Sequence, residues 1–174
     1  MLLPERDPQG WAAKALREAG NSFLAEIRGM DDVSISFRPT EDEMSVKELV
    51  AHVRDAGALA LDQIKALLNW PDKPLPVRDI DLLVMERDYR SADLMAVLLE
   101  FRDTRQELTG LLWALSSREW DQVARHPYRG DITITTIAGE LARHDLEHLW
   151  HVRKIKGSLP QKVHVSDEWD QFQL

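Results

Sequence analysis

The chain has 174 residues, 44% of them hydrophobic, which is enough to bury a core as one domain and argues against two independently stable ones. Its 22 basic and 30 acidic residues leave a net charge of −8 at pH 7, which opposes binding to phosphate backbones and anionic membrane surfaces, so neither nucleic acid nor membrane is an expected partner. Cysteine is absent: disulfides and thiolate metal sites are excluded, and any thiol chemistry needs an external thiol.

The residues from Met1 to Asp7 lack the basic region and apolar run of a signal peptide, and no apolar run approaches the length of a membrane span, so a soluble cytoplasmic protein is expected. Asp7 before Pro8 reads as a helix cap with proline in the first turn. Trp11, Ala15, Leu16, Phe23 and Ile27 then recur at helical spacing, predicting a first helix from about Pro8 to Arg28. Val33, Ile35 and Phe37 alternate like a strand, but Pro39 ends the run and no pairing partner is near, so residues 30–42 are expected to be a loop, partly extended.

Ser45 and Glu48 form a capping box ahead of Val46, Leu49, Val50, Val53, Ala60, Ile64, Leu67 and Leu68, the clearest helix start in the chain. The prolines at 71, 74 and 76 end that helix near Asn69. His52 projects beside Leu49, Ala56 and Leu59, on the flank of its apolar stripe. Residues 77–89 hold Ile80, Leu82, Leu83, Val84 and Met85, a short helix inside a long crossover. Ser91 to Asp93 opens a third helix with a stripe of Leu94, Val97, Leu98, Phe101, Leu108, Leu111, Leu112 and Leu115; its exposed side carries Arg102, Asp103, Arg105 and Glu107. Residues 116–130 form a polar connector marked by proline and glycine, and Asp131 to Thr133 caps the fourth helix. That helix shows Ile134, Ile137, Leu141, Val152 and Ile155 on its core side and stops at Gly157 and Pro160. In the tail, 161–174, Val163, Val165, Trp169 and Phe172 point to packing against the domain.

Four amphipathic helices with strand-poor connections predict an all-α, up-down-down-up four-helix bundle, with long crossover connections and a C-terminal tail, as a single domain over 1–174. Bundles build cofactor sites from inward-facing side chains of different helices. Three of the six histidines fall between positions 144 and 151. His144 and His148, four residues apart, point the same way and continue the core stripe where leucines are expected. With His52 they form a three-histidine set from two helices, leaving coordination positions open for a water, or for a substrate oxygen or sulfur. The competing reading gives these imidazoles hydrogen bonds to polar groups on neighbouring helices. His151 lies nearer the stripe's edge and suits a rim or supporting role; His126 precedes a proline and reads as a loop residue; His164 belongs to the tail. Asp145 and Glu147 can orient imidazoles from behind, although for Glu147 a solvated position is favoured.

Other chemistries fit less well. His144, Glu147 and His148 spell H-x-x-E-H, but Glu147 projects away from the histidine row, which disfavours a peptidase. Neither Glu48 nor Glu140 has a histidine three residues on, as carboxylate di-iron bundles require. No phosphate-binding glycine loop and no G-x-S-x-G elbow is present.

The run from Met44 to His52, Glu119 and Trp120 followed by His126 to Thr133, and the run from Gly139 to His148 together resemble the DinB/YfiT-like family of metalloenzymes over most of the chain. The resemblance implies a four-helix bundle in which His52, His144 and His148 bind a divalent metal, zinc or nickel foremost, and it implies homodimers. Relatives include transferases and isomerases that use low-molecular-weight thiols such as bacillithiol or mycothiol. Many members carry glutamine where this chain has His151, which makes the inner rim more basic here. The family ranks transfer of a low-molecular-weight thiol to a small electrophile first and metal-dependent hydrolysis second, with a non-catalytic metal-binding scaffold as the remaining alternative. No catalytic residue is assigned: His52, His144 and His148 are the metal-site candidates, and His151 is a cofactor-binding candidate at the rim or behind the ligands.

Overall fold

The computed structural model describes residues 6–159, so the tail with His164 and the helix stop at Pro160 lie outside the described residues. Four long helices carry the architecture: α1 (Pro8–Ile27), α3 (Val46–Asn69), α5 (Leu94–Ala114) and α7 (Ile134–Ser158). Three short helices, α2 (Asp32–Ser36), α4 (Ile80–Glu86) and α6 (Ser117–Trp120), and a hairpin of β1 (Val123–His126) and β2 (Gly130–Thr133) fill the connections.

Each long helix starts on a side chain that satisfies an otherwise orphaned backbone N–H. The Asp7 carboxylate accepts from the Gly10 N–H at 2.9 Å, Ser45 and Glu48 complete a reciprocal capping box, Asp93 accepts from Met95 and Ala96, and Thr133 accepts from Thr136. Within the expected capping stretch Asp131 to Thr133, the cap of α7 is Thr133. Two expectations are corrected. Residues 32–36 are helical because the Asp31 carboxylate accepts from the Ser34 N–H and Ile35 is buried, so a local cap outweighs the strand-like alternation. The connector at 116–130 is ordered into α6, under a second capping box of Ser116 and Glu119, and an antiparallel hairpin pairing Ala124 with Ile132 and His126 with Gly130. Gly130 takes a φ of 78° at the hairpin turn, where a side chain would be strained.

Cross-helix contacts set the directions. Phe23 meets Phe101 at 5.8 Å and Arg17 meets Trp113 at 5.7 Å, so α1 and α5 run antiparallel. Trp11 lies against Arg143 and Glu26 against Arg153 and Lys156, so α1 and α7 are parallel. Arg54 pairs with Glu100 and Lys65 with Glu107, which makes α3 and α5 parallel as well. The bundle is thus up-down-down-up, and the parallel α3–α5 pair needs the crossover through α4. Asp55 anchors that crossover: Tyr89 donates its hydroxyl to Asp55 at 2.5 Å, and Arg87 and Arg54 donate at 2.8 and 3.0 Å. Burial and the bond to Asp55 raise the Tyr89 pKa, so the phenol keeps its proton.

The apolar interior is divided in two. One cluster gathers Leu16, Ile64, Leu108, Leu112, Ile134 and Ile137; the other gathers Phe23, Val50, Val53, Phe101, Leu149 and Val152. Between them lies a polar layer of Arg105 from α5 and Asp145 from α7. Arg105, which its charged neighbours Arg102, Asp103 and Glu107 place on the outer side of its helix, is instead 5% exposed.

Candidate metal centre

His52 stands two turns into α3, and the strong cap at Ser45 fixes the register with which it faces α7. His144 and His148 are one turn apart on α7, on its α3 side. Nitrogens of the three side chains all lie within 4.8 Å of one another. His52 Nε2 and His144 Nε2 approach to 3.0 Å, and the ring centroids are 4.4 Å apart for His144 and His148 and 4.8 Å for His52 and His148. His52 is 3% exposed and the other two are half-buried.

The donor chemistry fits a divalent cation. Burial, and then the neighbouring His144, lower the His52 pKa; burial, and then the other histidines, push His148 down to about 3. Both rings are therefore neutral at pH 7 and offer lone pairs. Two nitrogen ligands on tetrahedral zinc sit roughly 3.3 Å apart at a Zn–N distance of about 2.05 Å, close to the Nε2 separation observed. The Nδ1 atoms of His52 and His144 are buried with no hydrogen-bond partner, and Asp145 Oδ1 lies 3.7 Å from that of His144.

His144 opens onto a cleft of about 760 Å³. Ala56, Ala60, Ile137 and Leu141 give it an apolar wall; Arg78, His126, Arg129 and Glu140 give it a polar rim. Arg129 clamps Glu140 through two hydrogen bonds of 2.9 and 2.5 Å, holding the hairpin over the cleft. His126 is not a simple loop residue: it ends β1, faces this cleft, and its Nδ1 accepts from the Tyr128 N–H at 3.2 Å. His151 takes the opposite side. Its Nδ1 is 3.4 Å from His148 Nδ1, and with His148, Met44, Leu49 and Ile155 it lines a separate pocket of about 190 Å³. Glu147 is exposed, as expected for a solvated carboxylate.

Asp145 is fully buried. Arg105 Nη2 lies 2.8 Å from both of its carboxylate oxygens and also donates to the Val53 carbonyl at 3.2 Å. Desolvation lowers the Arg105 pKa and Asp145 opposes it. A readable signal for Arg105 existed: with Phe101, Leu108 and Leu112 it falls on the apolar period of α5, where a leucine is expected. Gly57 was equally legible as a gap in the α3 stripe, since a β-carbon there would collide with the Arg105 guanidinium.

The DinB superfamily model matches residues 15–152, a span that takes in all three histidines. An Oceanobacillus iheyensis protein whose name assigns it provisionally as a metal-dependent hydrolase is 20% identical over 157 residues, covering 88% of this chain and 90% of its own length. The structure of YfiT from Bacillus subtilis, described as a probable metal-dependent hydrolase with an unusual four-helix bundle topology, superposes with a TM-score of 0.76 at 18% identity over 90% of this chain and 89% of that one. Colibactin self-resistance protein ClbS, solved in complex with a dsDNA, superposes with a TM-score of 0.65 at 17% identity, over 87% of this chain and 97% of that one. At these identities the solved structures establish the shared fold. Among the described residues, no helix is long and apolar enough to cross a membrane.

Proposed function

This chain belongs to the DinB superfamily, and from that premise we propose that it is a divalent-metal-dependent enzyme acting on a small molecule held in the cleft beside His144. One observation carries the reading: three buried or half-buried histidines from two helices bring their nitrogens within 4.8 Å of one another at the edge of a 760 Å³ cavity. That volume lies in the range of small-molecule sites. His52, His144 and His148 are the ligands in this reading, with zinc or nickel the metals that suit an all-imidazole set. A bound divalent cation with an open position supplies Lewis acidity to a water or thiol and to a substrate oxygen. The protein's own part is to bring three imidazoles together from two helices, with His52 and His148 held neutral by burial, to leave the cleft side of the site open, and to present an apolar wall and a polar rim to the substrate. His151 supports His148 from behind.

The names of the relatives favour water as the nucleophile, hence hydrolysis. Transfer of a low-molecular-weight thiol is the second reading; the absence of cysteine means such a nucleophile comes from outside the chain. The protein is proposed to work as a cytoplasmic homodimer.

Elemental analysis after metal-replete purification tests the centre: one divalent ion per chain is expected, and His144→Ala and His148→Ala should each lose it. Stoichiometric metal in either variant, or none in the parent, refutes the assignment. Turnover of activated esters by the metal-loaded protein, with and without added thiols, then separates the two reactions. Turnover without thiol supports hydrolysis; strict thiol dependence supports transfer.

A further inference from the structure

We infer that Arg105 and Asp145 are positioning residues for His144: the Asp145 carboxylate holds the proton on His144 Nδ1, so that the Nε2 lone pair faces His52 and the space a cation would fill. The inference rests on the metal reading of the site.

The pair is difficult to explain as a device for stability. A fully buried carboxylate and a guanidinium that is 5% exposed are costly to desolvate, and well-packed apolar residues in their place are commonly as stable or more so. Arg105 is also poorly served as a structural group, because its Nε and Nη1 have no hydrogen-bond partner. Nevertheless α3 makes room for it. At Gly57 a β-carbon would overlap the guanidinium, and at Gly20 on α1 it would lie 3.7 Å from the Arg105 stem. The layer thus splits the bundle core at the level where α7 presents its first site histidine.

What the pair achieves is a buried carboxylate, paired with a guanidinium 2.8 Å away, placed directly behind that histidine. Asp145 Oδ1 is 3.7 Å from His144 Nδ1, a buried atom with no hydrogen-bond partner of its own. Catalytic hydrogen bonds in ligand-free sites are often long and tighten on assembly. Meanwhile His52 Nε2 and His144 Nε2 sit 3.0 Å apart, so in the metal-free protein one must donate to the other. If His144 donated, its lone pair would point away from the site. Asp145 settles the choice: His144 is the Nδ1–H tautomer and His52 the Nε2–H donor, until a cation displaces that proton. Imidazole ligands backed by carboxylates are held in one tautomer by the same electrostatics.

Long-range ¹⁵N–¹H spectra of the metal-free protein at about pH 8, above the ordinary histidine range, read the tautomers directly. His144 as Nδ1–H with His52 as Nε2–H is expected; His144 as Nε2–H overturns the inference. The double variant Arg105→Met/Asp145→Leu removes the pair without stranding a charge. It should fold, lose the His144 tautomer preference and bind Zn²⁺ about 10–100-fold more weakly. An unchanged tautomer with Zn²⁺ affinity within threefold of the parent would show the pair to be structural only. Should the double variant not fold, the parent's tautomer decides alone. If the parent binds no Zn²⁺, the metal reading fails while the tautomer result still stands or falls independently.

Discussion

His148 shows how one residue ties the site to stability. Its folded pKa of about 3 lies below the roughly 6.5 of an unfolded histidine, so between those values the unfolded chain binds more protons and stability rises with pH. Its contribution is present above about pH 6.5 and is lost as pH falls toward 3; His52 shifts in the same direction. The melting temperature of the metal-free protein should therefore fall between about pH 6.5 and pH 5, where ordinary carboxylates remain ionised, and His148→Gln should flatten that slope. A flat parent profile contradicts the buried neutral ring. Gly57 makes an opposite point to the usual one about helical glycine. Alanine there gains about 1 kcal/mol of helix propensity but displaces Arg105 from Asp145, and breaking a buried pair costs about 3–5 kcal/mol. Gly57→Ala should thus destabilise by about 2–4 kcal/mol in denaturant titration, while Gly110→Ala, with nothing near its added carbon, should stabilise by up to about 1 kcal/mol. The histidines were legible as residues because spacing alone puts His144 and His148 on one face; Arg105 was misplaced because three charged neighbours outweighed its own register.

At the scale of elements, local capping chemistry is the most readable level. Ser45 shows its weight: its hydroxyl accepts from the Glu48 N–H at 3.3 Å and donates to the Glu48 carboxylate at 2.8 Å, both groups buried. Ser45→Ala should cost about 1–2 kcal/mol in a denaturant titration, and because the cap sets the register of His52, the variant should also bind zinc more weakly; an unaltered zinc titration would separate cap from site. The elements that escaped prediction are short ones. α2 and α6 are five and four residues long, too brief for a 3.6-residue period to declare itself, and the hairpin strands have four residues each. Ser116 and Glu119 nevertheless spelled the same capping box as Ser45 and Glu48, a signal masked by the surrounding polar residues. The hairpin has the larger consequence, since it carries His126 and Arg129 to the cleft.

For the whole molecule, the parallel pairing of α3 with α5 and of α1 with α7 is what brings His52 opposite α7. A cation bound only by the folded state should raise stability by mass action, about 2.7 kcal/mol at a hundred times Kd, so zinc added to the stripped protein should raise its melting temperature, and should not do so for His144→Ala. Light scattering should give a dimer, and a monomer at working concentration would contradict that assignment. The charge of −8 predicts no binding to duplex DNA at physiological salt, although ClbS was solved with one. A gel shift at low micromolar protein would reverse that expectation.

Periodicity and capping were sufficient for the four long helices, the crossover helix and the pairing of His144 with His148, because these depend on contacts within a few residues along the chain. The bundle architecture, with His52 on the flank of its stripe, joined that residue to them, and the family resemblance implied the same set. Distances in sequence much longer than a helical turn required the folded chain: the 3.0 Å approach of His52 and His144, the cleft roofed by the hairpin, the opposite-side position of His151, and the Arg105–Asp145 layer. A one-dimensional pattern can show that a side chain faces inward. What it meets there depends on how neighbouring helices are oriented and on where a glycine leaves room, and those are properties of packing.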